Sequence, residues 1–367
     1  MLTFDDLFRY YFFIGLIFLQ SFIFYAKKPT NISNFTYLFL VFMELFIVIG
    51  LRSSSVGFDT YRYLYLFDYI SGTSEIPINY MESGFLQFTY LLTLISSYNQ
   101  ILLITSGFII VLSSIFFIYK YSKIPWFSVY IYINTIFLFQ LSGMRQALSM
   151  SFTMLSFYFI EKRNFLLFVI MIIIAMQFHT AALLFLPAYF LFNIGFNKKN
   201  ILIAIAIFAW IFLYFQIFSD AILNFFPNYE VYLYGEWKNE DIKIASIFKT
   251  IIAGFYILFG TIIWFKIKIF LNKKSYMQIK LLLWFSFFSF LIQFISINAT
   301  QLSRIALYFS YFNIILYPNL IALVKDKNTK ILLIGLFVFF VILYTSVILW
   351  YRNAWVGCLP YTFFCEI

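Results

Sequence analysis

Twelve apolar segments, separated by short polar or basic clusters, run the length of this sequence. They lie at about residues 7–26, 35–51, 100–119, 126–141, 145–160, 165–178, 180–193, 200–218, 244–265, 280–296, 304–323 and 330–350. A membrane-crossing helix takes about 20 apolar residues, so segments of this size and number specify an all-α polytopic integral membrane protein of about twelve transmembrane helices. Only 11% of the residues are charged, against about 25% in soluble domains, which excludes a water-soluble enzyme. No internal repeat, Gly/Ser linker or low-complexity tail breaks the pattern, and residues 1–367 read as a single transmembrane domain. The first apolar segment is long and follows Asp5 and Asp6 instead of a basic stretch, so no cleavable signal peptide is expected.

A thirteenth apolar stretch, Phe85 to Ser96, is shorter and runs into Ser96-Ser97-Tyr98-Asn99-Gln100. It reads as an interfacial or re-entrant helix over residues 85–97 that returns to the side it left. With that stretch left out of the count, one set of alternate turns holds sixteen basic residues: Lys27, Lys28, Lys120, Lys123, Lys162, Arg163, Lys198, Lys199 and the lysines at 266–280 and 325–330. The acids opposing them are Glu161 and Asp326. The other side holds nine basic and twelve acidic residues. The positive-inside bias puts the first set in the cytoplasm. Both termini and the two polar loops, residues 52–84 and 219–243, are then expected outside. Most of the net charge of +10 thus sets topology, and no basic run sits in a folded polar domain to suggest a nucleic-acid partner.

The two sides differ in kind as well as in charge. Arg163 is the only arginine among the sixteen cytoplasmic residues, whereas Arg52, Arg62, Arg145, Arg304 and Arg352 stand at or beside the outer ends of spans. A planar guanidinium suits bidentate recognition of phosphate or carboxylate in a partly dry site better than a hydrated ammonium does. Arg145 and Arg304 each open a span from the outer side and Arg52 ends one there, so the three can face a common cavity. Taken singly, each can instead snorkel to the headgroups or pair with an acid. Jointly they point to an anionic ligand.

The first outer loop supplies polar chemistry. In Gly57-Phe58-Asp59-Thr60-Tyr61-Arg62-Tyr63, Asp59 falls near a helix start, where it is either a cap or a functional carboxylate. Tyr63 and Phe67 follow on its face. Glu82 precedes the short apolar helix and is either a cap or a salt-bridge partner for one of the arginines. The lone histidine, His179, sits in a polar break between two short apolar spans, on the same side as the arginines. It is either a packed structural residue or a group that orients or deprotonates a hydroxyl. The second outer loop interleaves Tyr232, Tyr234 and Trp237 with acids and amides, a surface suited to stacking on sugar rings or to an interfacial aromatic belt. Two cysteines, Cys358 and Cys365, give no metal framework. They can pair across a turn at Pro360 or remain thiols.

In chain order, Arg52, Gly57-Phe58-Asp59-Thr60, Tyr63, Glu82-Ser83-Gly84-Phe85, Met144-Arg145-Gln146-Ala147, Phe178-His179-Thr180-Ala181, Arg304 with Tyr308-Phe309, and Pro360-Tyr361 resemble the EpsG-type or Wzy-type polysaccharide polymerases. The resemblance covers most of the chain and implies a GT-C-like multi-pass glycosyltransferase in the bacterial cytoplasmic membrane. It implies that undecaprenyl-diphosphate-linked oligosaccharides serve as donor and acceptor, without metal, nucleotide or other cofactor, alongside a chain-length-regulating co-polymerase. It assigns Arg145 and Arg304 to the donor diphosphate, and Arg52 to a second phosphate or to loop ordering. Asp59 or His179 would orient or deprotonate the acceptor hydroxyl, with Glu82, Tyr63, Arg62, Gln146 and Tyr308 supporting the site. A flippase or a ligase for lipid-linked glycans would meet the same ligand, so both remain alternatives.

Overall fold

Each of the twelve apolar segments lies on helical backbone in the computed structural model, which describes residues 3–25, 29–77, 81–225, 240–299 and 302–364. Among the described residues there is no strand beyond one isolated antiparallel bridge, Arg52 with Phe363, and the chain is an all-α polytopic membrane protein. By length and apolarity six helices suffice to cross a bilayer, or eight if two bent pairs each count as one span. Those pairs are Lys198–Leu213 with Phe215–Ala221, bent by 79°, and Ser303–Ser310 with Asn313–Ala322, bent by 41°. The other four segments are shorter, broken or more polar. The 126–141 segment is divided by a π-helical turn, Ile133–Phe137. The 145–160 segment carries Arg145, Gln146, Ser149, Ser151, Thr153 and Ser156.

The helices fall into two compact units. The first comprises Met1–Phe159, Leu166–Leu183 and Val324–Ile367. It begins with α1 (Phe4–Tyr25) and α2 (Asn31–Gly50). A reciprocal cap starts α2: the Ser33 amide donates to Thr30 Oγ1 at 3.0 Å and the Thr30 amide to Ser33 Oγ at 2.8 Å, satisfying donors that a helix start leaves open. The first outer loop folds into α3 (Thr60–Thr73), and α4 (Ser83–Thr93) follows. Eleven residues of helix rise only about 16 Å against a hydrocarbon core of about 30 Å, so α4 is too short to cross. Next come α5 (Gln100–Tyr121), α6 (Pro125–Tyr132), the π turn, α7 (Leu138–Ser142), α8 (Met144–Glu161) and α9 (Phe165–Phe178). Thr345, in the last helix (Lys327–Val356), donates to the Asn134 carbonyl within the π turn at 2.8 Å.

After that helix, residues 357–364 return as a strap along the start of the first outer loop. The Gly57 amide donates to the Gly357 carbonyl at 2.6 Å, the Ser53 amide to Thr362 at 3.0 Å, and the Phe364 amide to Leu51 at 3.1 Å. Tyr361 adds a hydroxyl bond to the Val48 carbonyl at 2.8 Å, and the buried Cys358 thiol donates to Leu138 at 3.2 Å. Its sequence partner Cys365 lies outside the described residues.

The second unit comprises Ile160–Phe165 and Leu184–Leu323. Its centre is the helix Lys273–Ile295, whose Leu281, Leu282, Leu283 and Phe285 are fully buried. Phe185, Phe285, Phe309 and Phe312 form an aromatic cluster with centroid separations of 4.7 to 5.6 Å for four of their pairings. Of the second outer loop, residues 226–239 lie outside the described residues, and with them Tyr232, Tyr234 and Trp237.

Candidate functional site

The polar centre of the first unit is Glu82. It occupies the N-cap position of α4 yet makes no side-chain capping bond, because its carboxylate is turned toward two other helices. One oxygen, Oε2, pairs with an Arg145 Nη group. The other, Oε1, lies 2.9 Å from His179 Nδ1 and 3.3 Å from the Thr180 amide. Burial acts to raise the Glu82 carboxyl, but the His179 hydrogen bond and the Arg145 charge outweigh it and hold the group at about 2. Glu82 is therefore ionised and can only accept, so Nδ1 of His179 carries a proton in this bond, and in the neutral ring Nε2 is the acceptor.

Local sequence explains how three distant segments meet. Arg145 is the second residue of α8, which starts immediately after Gly143. His179 follows the last residue of α9, and its amide still donates to Ala175 at 3.1 Å; beyond it the chain tightens into a 3-10 turn over Thr180–Phe185. Glu82 is brought to both by close contact between the start of α4 and the end of α9. A Cβ on Gly84 would stand 2.8 Å from the Gln177 carbonyl oxygen and would overlap the Gln177 Cβ, so only glycine allows this approach. Ser83 Oγ bonds Gln177 Oε1 at 3.1 Å across the same contact.

Tyr63, one turn into α3, is 2% exposed. The Arg145 guanidinium carbon lies 5.9 Å from its ring centre, and Tyr63 packs edge-on against Phe85 of α4 at 5.4 Å. The loop before α3 is fixed to the end of α7. The Phe58 amide donates to Ser142 Oγ at 3.0 Å. Gly57, at φ +94°, has no room for a Cβ beside the Leu141 carbonyl. Tyr63 and Phe67 share the buried face of α3, as the periodicity predicts.

The remaining sequence candidates take varied positions. Asp59 is the N-cap residue of α3, but its carboxylate makes no capping bond. Arg62 is exposed on α3. Gln146, beside Arg145, is 4% exposed. Arg52 is completely buried under the strap, with one Nη group bonded to the Ile49 carbonyl and, among the described residues, no partner for Nε or the other Nη. Burial lowers its guanidinium to about 10. Gln100 completes the α2 end by donating to the Gly50 carbonyl at 2.7 Å and the Arg52 carbonyl at 3.1 Å. Arg304 and Tyr308 belong to the second unit, one turn apart on Ser303–Ser310, with Tyr308 1% exposed.

The structure therefore joins Glu82, Arg145, His179 and Tyr63 and resolves Glu82 as an ion-pair partner. Sequence reading passed over Gln177 and the strap. Gln177 adjoins the flagged histidine, but only the glycine at 84 signals the contact, and the strap had no sequence signal besides Pro360-Tyr361.

Chemically, an ionised carboxylate fixing one imidazole nitrogen and a guanidinium is a device for presenting an oriented base beside a cation. A protein-family model described as the EpsG family matches residues 35–363. No curated protein and no solved structure matches the chain.

Proposed function

The chain belongs to the EpsG family and so has a role of the polysaccharide-polymerase type; on that footing we propose that it joins undecaprenyl-diphosphate-linked oligosaccharide repeat units on the outer face of the cytoplasmic membrane. The observation that carries this reading is the Glu82 carboxylate clamped between His179 and Arg145.

In the proposed reaction, a hydroxyl at the non-reducing end of the acceptor attacks C1 of the donor glycan. The C1–O bond to the diphosphate breaks and its electron pair leaves with the phosphate. His179 Nε2 takes the hydroxyl proton, with Glu82 fixing the ring and stabilising the imidazolium as it forms. Arg145 offers a guanidinium to the departing diphosphate, exchanging part of its pairing with Glu82 for a phosphate oxygen as negative charge develops. Arg304, one turn before Tyr308, is proposed for the donor diphosphate on the family resemblance. Among the described residues Asp59 has no orienting partner, which favours His179 for the proton. Arg52, enclosed by the strap, orders the loop. The energy comes from the diphosphate leaving group, so the proposal requires neither nucleotide nor metal. Tyr232, Tyr234 and Trp237 are proposed as glycan contacts, and a chain-length-regulating co-polymerase as a partner.

The test is the surface glycan of a null strain. A polymerase null displays single repeat units and no ladder. A flippase null displays no glycan at all, and a ligase null accumulates polymer on its lipid carrier; either result contradicts the proposal.

A further inference from the structure

The second unit holds two cations that the glycosyl-transfer site does not use. Arg163 places its guanidinium carbon 4.7 Å from the ring centre of Phe192 and 5.6 Å from that of Tyr189. Lys280 brings its Nζ 5.6 Å from the same Phe192 ring centre and donates to the Phe192 carbonyl at 2.6 Å. Lys280 is only 3% exposed, and that bond uses one of its three donors. Among the described residues neither cation has a carboxylate partner, and the Arg163 amide donates to the Ile160 carbonyl at 3.1 Å while its guanidinium meets only the two rings. Its φ of +58° is a conformation that L residues seldom adopt.

Two positive groups around one ring, one of them buried, create a field that an anion relieves. The aromatic faces hold the guanidinium by its plane and leave its N–H edge open for a bidentate oxyanion. The surroundings identify the kind of anion. Phe165 and Phe190 are 48% and 57% exposed, and Phe165 packs on Tyr189 at 5.0 Å and on Phe190 at 6.0 Å. An apolar outward face adjoining two cations around one ring matches a molecule with a phosphate head and hydrocarbon tails. Basic pockets among membrane helices recognise anionic lipids in this way. We propose that Arg163 and Lys280 bind the phosphate headgroup of an anionic lipid, with Phe165 and Phe190 against its acyl chains. The site is separate in composition from the Glu82 cluster and does not depend on the proposed reaction.

Thermal unfolding of the purified full-length chain tests this, with phosphatidylglycerol, phosphatidylcholine or inorganic phosphate titrated into the detergent. Phosphatidylglycerol should raise Tm, and phosphatidylcholine should not. Arg163→Gln, at an exposed position, should weaken the phosphatidylglycerol response about tenfold, the loss of a charge-assisted pair of hydrogen bonds. Lys280→Met should weaken it further. An undiminished response in Arg163→Gln would overturn the site. A Tm rise with inorganic phosphate as large as with phosphatidylglycerol would overturn its assignment to lipid.

Discussion

Glu82 Oε1 lies 2.9 Å from His179 Nδ1, and because the opposite carboxylate oxygen is held by Arg145, neither side chain can turn without disturbing the third. The carboxylate therefore acts as the hinge pin of the cluster, and its removal has two separable effects. Glu82→Gln keeps the shape but leaves Arg145 without a counter-charge. Arg145 retains 26% side-chain exposure, so the cost falls below that of a fully buried pair, at about 2 kcal/mol. A lower Tm for Glu82→Gln, partly restored in Glu82→Asp, is the expected outcome, read by thermal unfolding in detergent.

The same carboxylate makes stability depend on acid. Its folded pKa, about 2, is below the ordinary value, so its contribution is complete above about pH 4.5 and is lost as pH falls toward 2. The Tm difference between the wild type and Glu82→Gln should shrink as pH falls from about 4.5 toward 2. A difference that holds unchanged at pH 3 would contradict the ion-pair account.

Gly84 sets the distance over which this cluster forms. Gly84→Ala forces a methyl group into the Gln177 backbone, and overpacking of this kind costs about 1–3 kcal/mol. The variant should lose stability and also lose polymer, because separating α4 from α9 withdraws Glu82 from His179. Full polymer length from a stable Gly84→Ala protein would show that the contact is dispensable.

Much of this organisation was legible in the sequence, for identifiable reasons. Apolar run length located the twelve apolar segments, though not the helix Thr60–Thr73 in the first polar loop, and the short Phe85–Ser96 stretch was recognisable as non-spanning because twelve residues cannot reach across. Arg145, Glu82 and His179 stood out because polar groups at the ends of membrane helices are expensive and therefore placed for a purpose. Their pairing was not legible. It depends on tertiary approach between segments 63 and 97 residues apart in the chain, and a lone Glu before a helix looks the same whether it caps or pairs. The breaks at Ile133–Phe137 and Leu213–Phe215 were also invisible, since hydropathy counts residues and not their hydrogen-bond geometry.

Arg52 separates structure from chemistry. Its guanidinium is enclosed and two of its donor groups are unpartnered, so replacement by an apolar side chain of similar length relieves desolvation as much as it removes contacts. Arg52→Met should keep the unfolding free energy within about 1 kcal/mol of the wild type and polymer length near normal, as gel ladders would record. Loss of polymer from a normally folded Arg52→Met protein would instead assign it to phosphate binding.

The central claim is that Glu82, Arg145 and His179 act together on a lipid-linked glycan. The most direct measurement is polymerisation by purified protein supplied with a defined undecaprenyl-diphosphate-linked repeat unit, comparing wild type, Arg145→Lys, His179→Ala and Asp59→Asn. The account predicts long product from the wild type and from Asp59→Asn, and product reduced by about a hundredfold or more in His179→Ala, as expected for loss of a general base. Arg145→Lys should also fall sharply, because an ammonium cannot replace the guanidinium fork. Normal polymer from His179→Ala together with its loss in Asp59→Asn would contradict the account.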